Sequence, residues 1–172
     1  MYYLALDFDG VIVPEQAYFY WEDRSDKKRA NPELERAVRC CPITISNLNY
    51  VCKHVPELSI VISSTWRKYY DLESLKEILK EDGFKYTDKI IGITPSMPRG
   101  LSDSYGRRGT EIETWLEDKK DVQDWIALDD HANNIDKDHL ILTQQEVGFT
   151  LLDAYLLIER FVKDWKRPLF MM

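Results

Sequence analysis

Asp7 and Asp9 flank Phe8 at the end of an apolar run, and Gly10 follows them. On an extended backbone, side chains two residues apart point to one side, so both carboxylates face one way while Phe8 turns into protein. Carboxylates held this close repel one another and lose hydration, a cost that a cation between them offsets. Gly10 permits the tight turn that such a strand end needs. Ser63-Ser64 and Asp129-Asp130 likewise close apolar runs, and Arg108 precedes the second pair. Carboxylates from separate strand ends, converging on one point, suit a hard cation with oxygen ligands such as magnesium. A serine hydroxyl beside an arginine suits the oxygens of a phosphate. A metal, a carboxylate nucleophile, an acid and clamps for phosphate oxygens together make phosphoryl transfer the chemistry these parts can do.

These residues meet only if the strands carrying them lie side by side. Residues 2–6 read as a buried strand, and 58–62 as a β-branched run covered on both faces. Three further strands are predicted over 89–93, 125–128 and 139–142. Helical patterns separate them. Asn31-Pro32 looks like a cap and first helical position, with Leu34, Ala37, Val38 and Cys41 at helical spacing until Pro42. A second helix carries Ile45, Leu48, Cys52 and Val55, and Pro56 ends it; a third runs from Asp71 to Gly83. Thr110 with Glu113 forms a capping box, and Thr150 with Asp153 caps a last helix whose apolar face runs through Leu152, Tyr155, Phe161, Val162 and Trp165. Residues 14–30 read as an irregular insert, either a flap over the site or a loop packing aromatics Tyr18, Phe19, Tyr20 and Trp21 on the core, with a solvated charge run from Asp23 to Arg29. Strands alternating with helices predict a three-layer, Rossmann-like parallel α/β sheet with helices on both faces. Its ligand site belongs beyond the carboxyl ends of the strands, where the strand order reverses.

The totals agree with one domain over residues 1–172: this length, 44% hydrophobic, supplies one core and is short for two. A net charge of −7 disfavours tight non-specific nucleic-acid binding. No apolar run approaches the roughly 20 residues of a membrane span. The chain enters its first strand without a basic leader, so no membrane and a cytoplasmic setting are expected. Cys40, Cys41 and Cys52 lack zinc-ligand spacing and read as buried free thiols in a reducing compartment.

In this order the motifs resemble those of the haloacid dehalogenase-like (HAD) phosphatases, and the likeness covers nearly the whole chain. The hydrophobic strand with D-x-D-G-[TV] appears as Leu4-Ala5-Leu6-Asp7-Phe8-Asp9-Gly10-Val11. The strand ending in Ser or Thr is Ile60-Val61-Ile62-Ser63, the basic residue at a helix start is Arg108-Gly109, and the acidic pair is Ala127-Leu128-Asp129-Asp130. The small insert after the first strand implies a member without a large cap domain. The run from Ser63 to Arg67, with Arg108-Gly109 and Asp129-Asp130, is similar to HAD domains of nucleic-acid repair proteins.

The resemblance implies that Asp7 becomes an aspartyl phosphate, and that Asp9 protonates the leaving oxygen and then activates water. It implies Mg²⁺ held by the Asp7 carboxylate, the Asp9 carbonyl and Asp130, with Asp129 sharing or taking that place. Ser63 or Ser64, and Arg108 or its neighbour Arg107, would hold phosphoryl oxygens. Arg67 and Arg99 are further candidates for substrate, with a surface ion pair the alternative for Arg67. Trp66 reads as core packing or as a stacking platform for a base, and His131 as structural or adjacent to the metal. Asn133 and Asn134 are expected to brace the metal loop. The expected substrate is a small phosphorylated metabolite or nucleotide, with a nucleic-acid terminus as the alternative. A silent phospho-receiver fits less well, because receivers carry the acidic pair on the first strand and the acceptor on a middle one.

Overall fold

The computed structural model describes residues 1–22, 28–97 and 107–168. Five short strands form its centre: β1 (Tyr2–Leu6), β2 (Leu58–Ile62), β3 (Ile90–Ile93), β4 (Asp124–Asp129) and β5 (Leu140–Leu142). All pair in parallel, in the order β3-β2-β1-β4-β5. The described helices are α1 (Glu15–Glu22), α2 (Pro42–His54), α3 (Leu72–Glu81), α4 (Arg108–Glu117) and α5 (Leu151–Phe161). The sheet grows outward from β1 through β2 to β3, and then the chain returns to place β4 on the other side of β1. Right-handed crossovers running in opposite directions must use opposite faces. Accordingly Leu4, Leu6, Ile60, Ile62, Ile126 and Leu128 pack with α2, α3 and α5 in one core. Ala5, Val61 and Ala127 point the other way, onto Ile112 of α4 and Ile135. Small residues on this second face let α4 lie close to the sheet.

The α/β architecture with helices on both faces is as the sequence predicts, and no large cap is seen among the described residues. Asp71 caps α3 by accepting the Ser74 N–H, and Thr150 and Asp153 form the full capping box of α5. Cys40, Cys41 and Cys52 are free and buried.

Six local expectations are corrected. Residues 33–41 do not form an α-helix; only a 3₁₀ turn, Pro32–Leu34, follows the Asn31 cap. The backbone there is committed to distant partners: Ala37 and Val38 carbonyls accept from Arg29, Cys40 N–H donates to Asp82, and Cys41 N–H donates to Ile12. Pro42 therefore starts α2 instead of ending a helix, a position where its missing N–H costs nothing. The expected irregular insert contains α1, anchored by buried Ala17 and by the Trp21 indole on the Cys40 carbonyl. Its charge run does not end in solvent, since Arg29 is buried and paired with Glu81 and Asp82; residues 23–27 lie outside the described residues. Thr110 caps nothing, because α4 already begins at Arg108, and Leu152 is exposed on α5.

Candidate active site

The register that pairs Leu6 with Ile62 and with Leu128 runs on by one residue. Ser63 N–H donates to the Leu6 carbonyl at 2.8 Å, and Asp7 N–H donates to the Leu128 carbonyl at 3.1 Å. Asp7 therefore stands between Ser63 on β2 and Asp129 on β4, and all three side chains share the face that α4 covers. Thr94 extends the row beyond Ser63, hydroxyl to hydroxyl at 3.5 Å. The first residue of α4 closes the site from above: Arg108 Nη1 lies 3.2 Å from Asp7 Oδ2 and 3.8 Å from Asp129 Oδ2. Strand order reverses between β1 and β4, so the Asp7–Asp129 pair sits at the switch point of the sheet.

Beyond Asp7 the chain turns sharply. Phe8 N–H donates to Asp7 Oδ1, while the Phe8 carbonyl accepts from Val11, Ile12 and Val13. Phe8 is fully buried. Gly10 adopts φ +67°, and a Cβ there would stand 2.6 Å from Asp130 Cβ. The glycine thus serves two ends, the left-handed turn and the close approach of the fourth acidic residue. Asp9 points outward, and the indole N–H of Trp66 donates to both its oxygens, at 3.0 and 3.2 Å. Trp66 itself is buried between Phe8 and Tyr70. The sequence reading of Trp66 as packing is half of its role; orienting Asp9 is the other half, and nothing at sequence level pairs the two.

On the β4 side, Asp129 Oδ1 accepts from the His131 N–H and the Asn133 side chain, both at 2.9 Å. Asn133 thus braces the loop as expected, and Asn133 and Asn134 both take left-handed φ. Their backbone lies so close to α4 that Gly109 N–H donates to the Asn133 carbonyl and a Cβ on Gly109 would clash with the Asn134 carbonyl. A glycine next to Arg108 is what lets the arginine reach the strand ends. Asp130 Oδ1 is 2.8 Å from His131 Nδ1, and that contact raises the imidazole pKa.

Electrostatically the site is short of positive charge. Burial pushes the Asp7 pKa up, opposed by Arg108, the Phe8 N–H and the Ser64 hydroxyl. Asp9 also rises, through protein packed on one side, with Trp66 opposing and Asp7 and Asp130 adding to the rise. Asp129 is pushed up to about 6 by burial and by Asp7. Four carboxylates crowd one guanidinium, so a divalent cation would relieve the excess. Their oxygen donors fit magnesium. Asp129, Asp130 and His131 offer ligand atoms within 4.8 Å of one another, but the exposed imidazole is a poor partner for a hard ion.

The remaining sequence candidates are placed as follows. Ser64 caps the 3₁₀ turn Thr65–Lys68 by accepting the Trp66 N–H. Arg67 is buried, not on the surface: it pairs with Glu111 of α4 and donates to the Ser64 and Pro95 carbonyls. Glu111 also accepts the Met97 N–H, so this pair ties β2, the residues after β3 and α4 together. Sequence reading did not single out Glu111. Arg107 precedes α4 and donates to the Met97 carbonyl at 2.8 Å. Arg99 lies outside the described residues.

A parallel sheet whose switch point carries an aspartate pair, a serine and an arginine from the helix that leads into β4 defines a HAD-type domain of the hydrolase and phosphatase superfamily. The chain belongs to the family described as the HAD domain in Swiss Army Knife RNA repair proteins, whose model matches residues 3–154. No curated protein and no solved structure matches it. Among the described residues, no helix is long and apolar enough to cross a membrane.

Proposed function

We propose that the protein is a magnesium-dependent phosphomonoester hydrolase that works through an aspartyl phosphate. The observation carrying this reading is the buried Asp7 carboxylate at the strand switch point, flanked by Ser63 and Asp129 and capped by Arg108 at 3.2 Å. Asp7 attacks phosphorus in line as the bond to the leaving oxygen breaks, and Asp9 gives that oxygen its proton. Asp9, now a carboxylate held by the Trp66 N–H, takes a proton from water as the water attacks phosphorus. The bond to Asp7 breaks, phosphate leaves, and both aspartates return to their starting state. Arg108 Nη1 is ion-paired with Asp7 but makes no hydrogen bond with any described residue, so it can turn a donor to a phosphoryl oxygen. The Ser63 hydroxyl serves a second such oxygen. Asp7, Asp130 and the Asp9 carbonyl would hold the cation, with Asp129 bordering them, and the ion supplies charge neutralisation for the phosphoryl group.

The test is hydrolysis of an aryl phosphate by wild type and Asp7→Asn, each with magnesium and with a chelator. Turnover should require both Asp7 and the metal; equal turnover by the two proteins would remove Asp7 as nucleophile. The family's occurrence in RNA repair proteins favours a second reading of the substrate, a terminal phosphate on a nucleic acid, in place of a small metabolite. The net charge of −7 opposes it, and an affinity for single strands that falls as salt rises would support it.

A further inference from the structure

A cavity of about 340 Å³ opens on the outward side of Asp9. This volume lies within the range of roughly 300–1,000 Å³ typical of small-molecule sites. Asp9, Arg36, Thr65, Trp66, Tyr69 and Tyr70 line it, with Ala37 and Val38 completing the wall. We propose that this cavity is the leaving-group subsite, and that it takes a nucleoside carrying a second phosphate. The inference rests on Asp9 as the acid that protonates the leaving oxygen, because only then must the leaving group occupy the space beside it.

The chemistry of the wall argues for that ligand. Trp66 is fixed by its bond to Asp9 and by Phe8 behind it, with ring centroids 5.1 Å apart, and Tyr70 packs against it at 6.0 Å. This gives the cavity a rigid aromatic side. Tyr69 is 80% exposed, although the turn that carries it is well anchored. A large ring left in water beside a rigid aromatic wall is a surface on which a flat base can stack. Arg36 is exposed and has neither a hydrogen bond nor an ion pair with any described residue. It and Asp9 are the charged groups of the lining, and its guanidinium suits a phosphate in two-pronged contact. The same chemistry is offered by a free nucleoside bisphosphate and by the phosphorylated end of an oligonucleotide.

The experiment compares kcat/KM for glycerol phosphate, adenosine monophosphate, adenosine bisphosphate and an oligoribonucleotide with a terminal phosphate, using wild type, Tyr69→Ala and Arg36→Gln. Loss of one stacking ring should lower the ratio of nucleotide to glycerol phosphate about tenfold in Tyr69→Ala. Arg36→Gln should lower the ratio of bisphosphate to monophosphate about tenfold, as expected for one charged contact. A preference for the oligonucleotide over the bisphosphate assigns the subsite to a chain end, and the reverse to a free nucleotide. If neither ratio moves, the subsite is refuted while the phosphatase reading stands. If wild type hydrolyses none of the four, the phosphatase reading fails, and calorimetric titration with adenosine bisphosphate decides the cavity alone. Binding that weakens about tenfold in Tyr69→Ala then sustains the cavity as a nucleotide site but overturns its leaving-group role, and an unchanged or absent signal overturns both.

Discussion

Asp129→Asn should stabilise the metal-free protein at neutral pH. The carboxylate lies in protein between Asp7 and Arg108, and its pKa is pushed from 3.8 to about 6 by burial and by Asp7. A carboxyl whose pKa is higher in the folded chain binds its proton more tightly there. Folding therefore gains stability below the unfolded pKa and loses it as pH rises through the folded one, here between about 4 and about 6. A rise of about 2 units at ~1.4 kcal/mol each gives roughly 3 kcal/mol of destabilisation at pH 7 from this one charge. The asparagine keeps the Oδ1 that accepts from His131 and Asn133, so the loop survives while the charge goes. For a chain of this size ~2–4 °C per kcal/mol is expected, so Asp129→Asn should melt about 6–12 °C above wild type in chelator at pH 7.5. The gap should close at pH 4, where wild type is already protonated. Magnesium should raise the wild-type melting temperature at pH 7.5 more than at pH 5, and raise that of Asp129→Asn less. A metal-free wild type that melts above the variant at pH 7.5, with a gap indifferent to pH, would refute the reasoning.

Three other substitutions probe the supports. Trp66→Phe keeps a ring against Phe8 and removes the N–H from Asp9; kcat should fall about tenfold or more, the worth of one hydrogen bond to a charge, with KM nearly unmoved in steady-state assays. Glu111→Gln leaves the Arg67 guanidinium buried without its counter-charge, so urea denaturation should report a loss of roughly 3–5 kcal/mol; a loss under ~1 kcal/mol would mean that the pair is dispensable. Gly109→Ala pushes a methyl to 2.7 Å from the Asn134 carbonyl carbon, where both neighbours are backbone. It should cost roughly 1–3 kcal/mol in denaturant melts and weaken the magnesium-induced thermal shift.

The strand ends were legible because period and composition decide them. A β-branched run such as 58–62, interrupted by Ser63-Ser64, has few readings, and once β1, β2 and β4 are taken as parallel neighbours their terminal polar residues must align. Local pattern failed where distant partners consumed it. The spacing of Leu34, Ala37, Val38 and Cys41 is helical, yet Arg29, Ile12 and Asp82 take the carbonyls and N–H groups that a helix would need. Thr110 with Glu113 has the letters of a capping box but sits inside α4, whose start is set by contacts with residues 133–134. Nor does local sequence reveal that the Trp66 N–H is aimed at a carboxylate 57 residues away.

Arg67 and Arg108 look alike in the sequence, and the fold gives them opposite tasks. Arg67 is buried against Glu111, three residues after Arg108 on the same helix. Residues so spaced lie on neighbouring parts of one helical face, so the pair draws the first turn of α4 toward the end of β2. Gly109 lets that turn settle onto the Asn133–Asn134 backbone without a clash. With both contacts made, Arg108 has one direction left, toward Asp7 and Asp129, and its Nη1 enters the site without a hydrogen bond to any described residue. The arginine proposed to meet phosphate is held in place by the one paired with Glu111. Exchanging Glu111 for a neutral residue should therefore weaken oxyanion binding at Asp7 even though Glu111 never touches it, which a rise in the inhibition constant of vanadate would register.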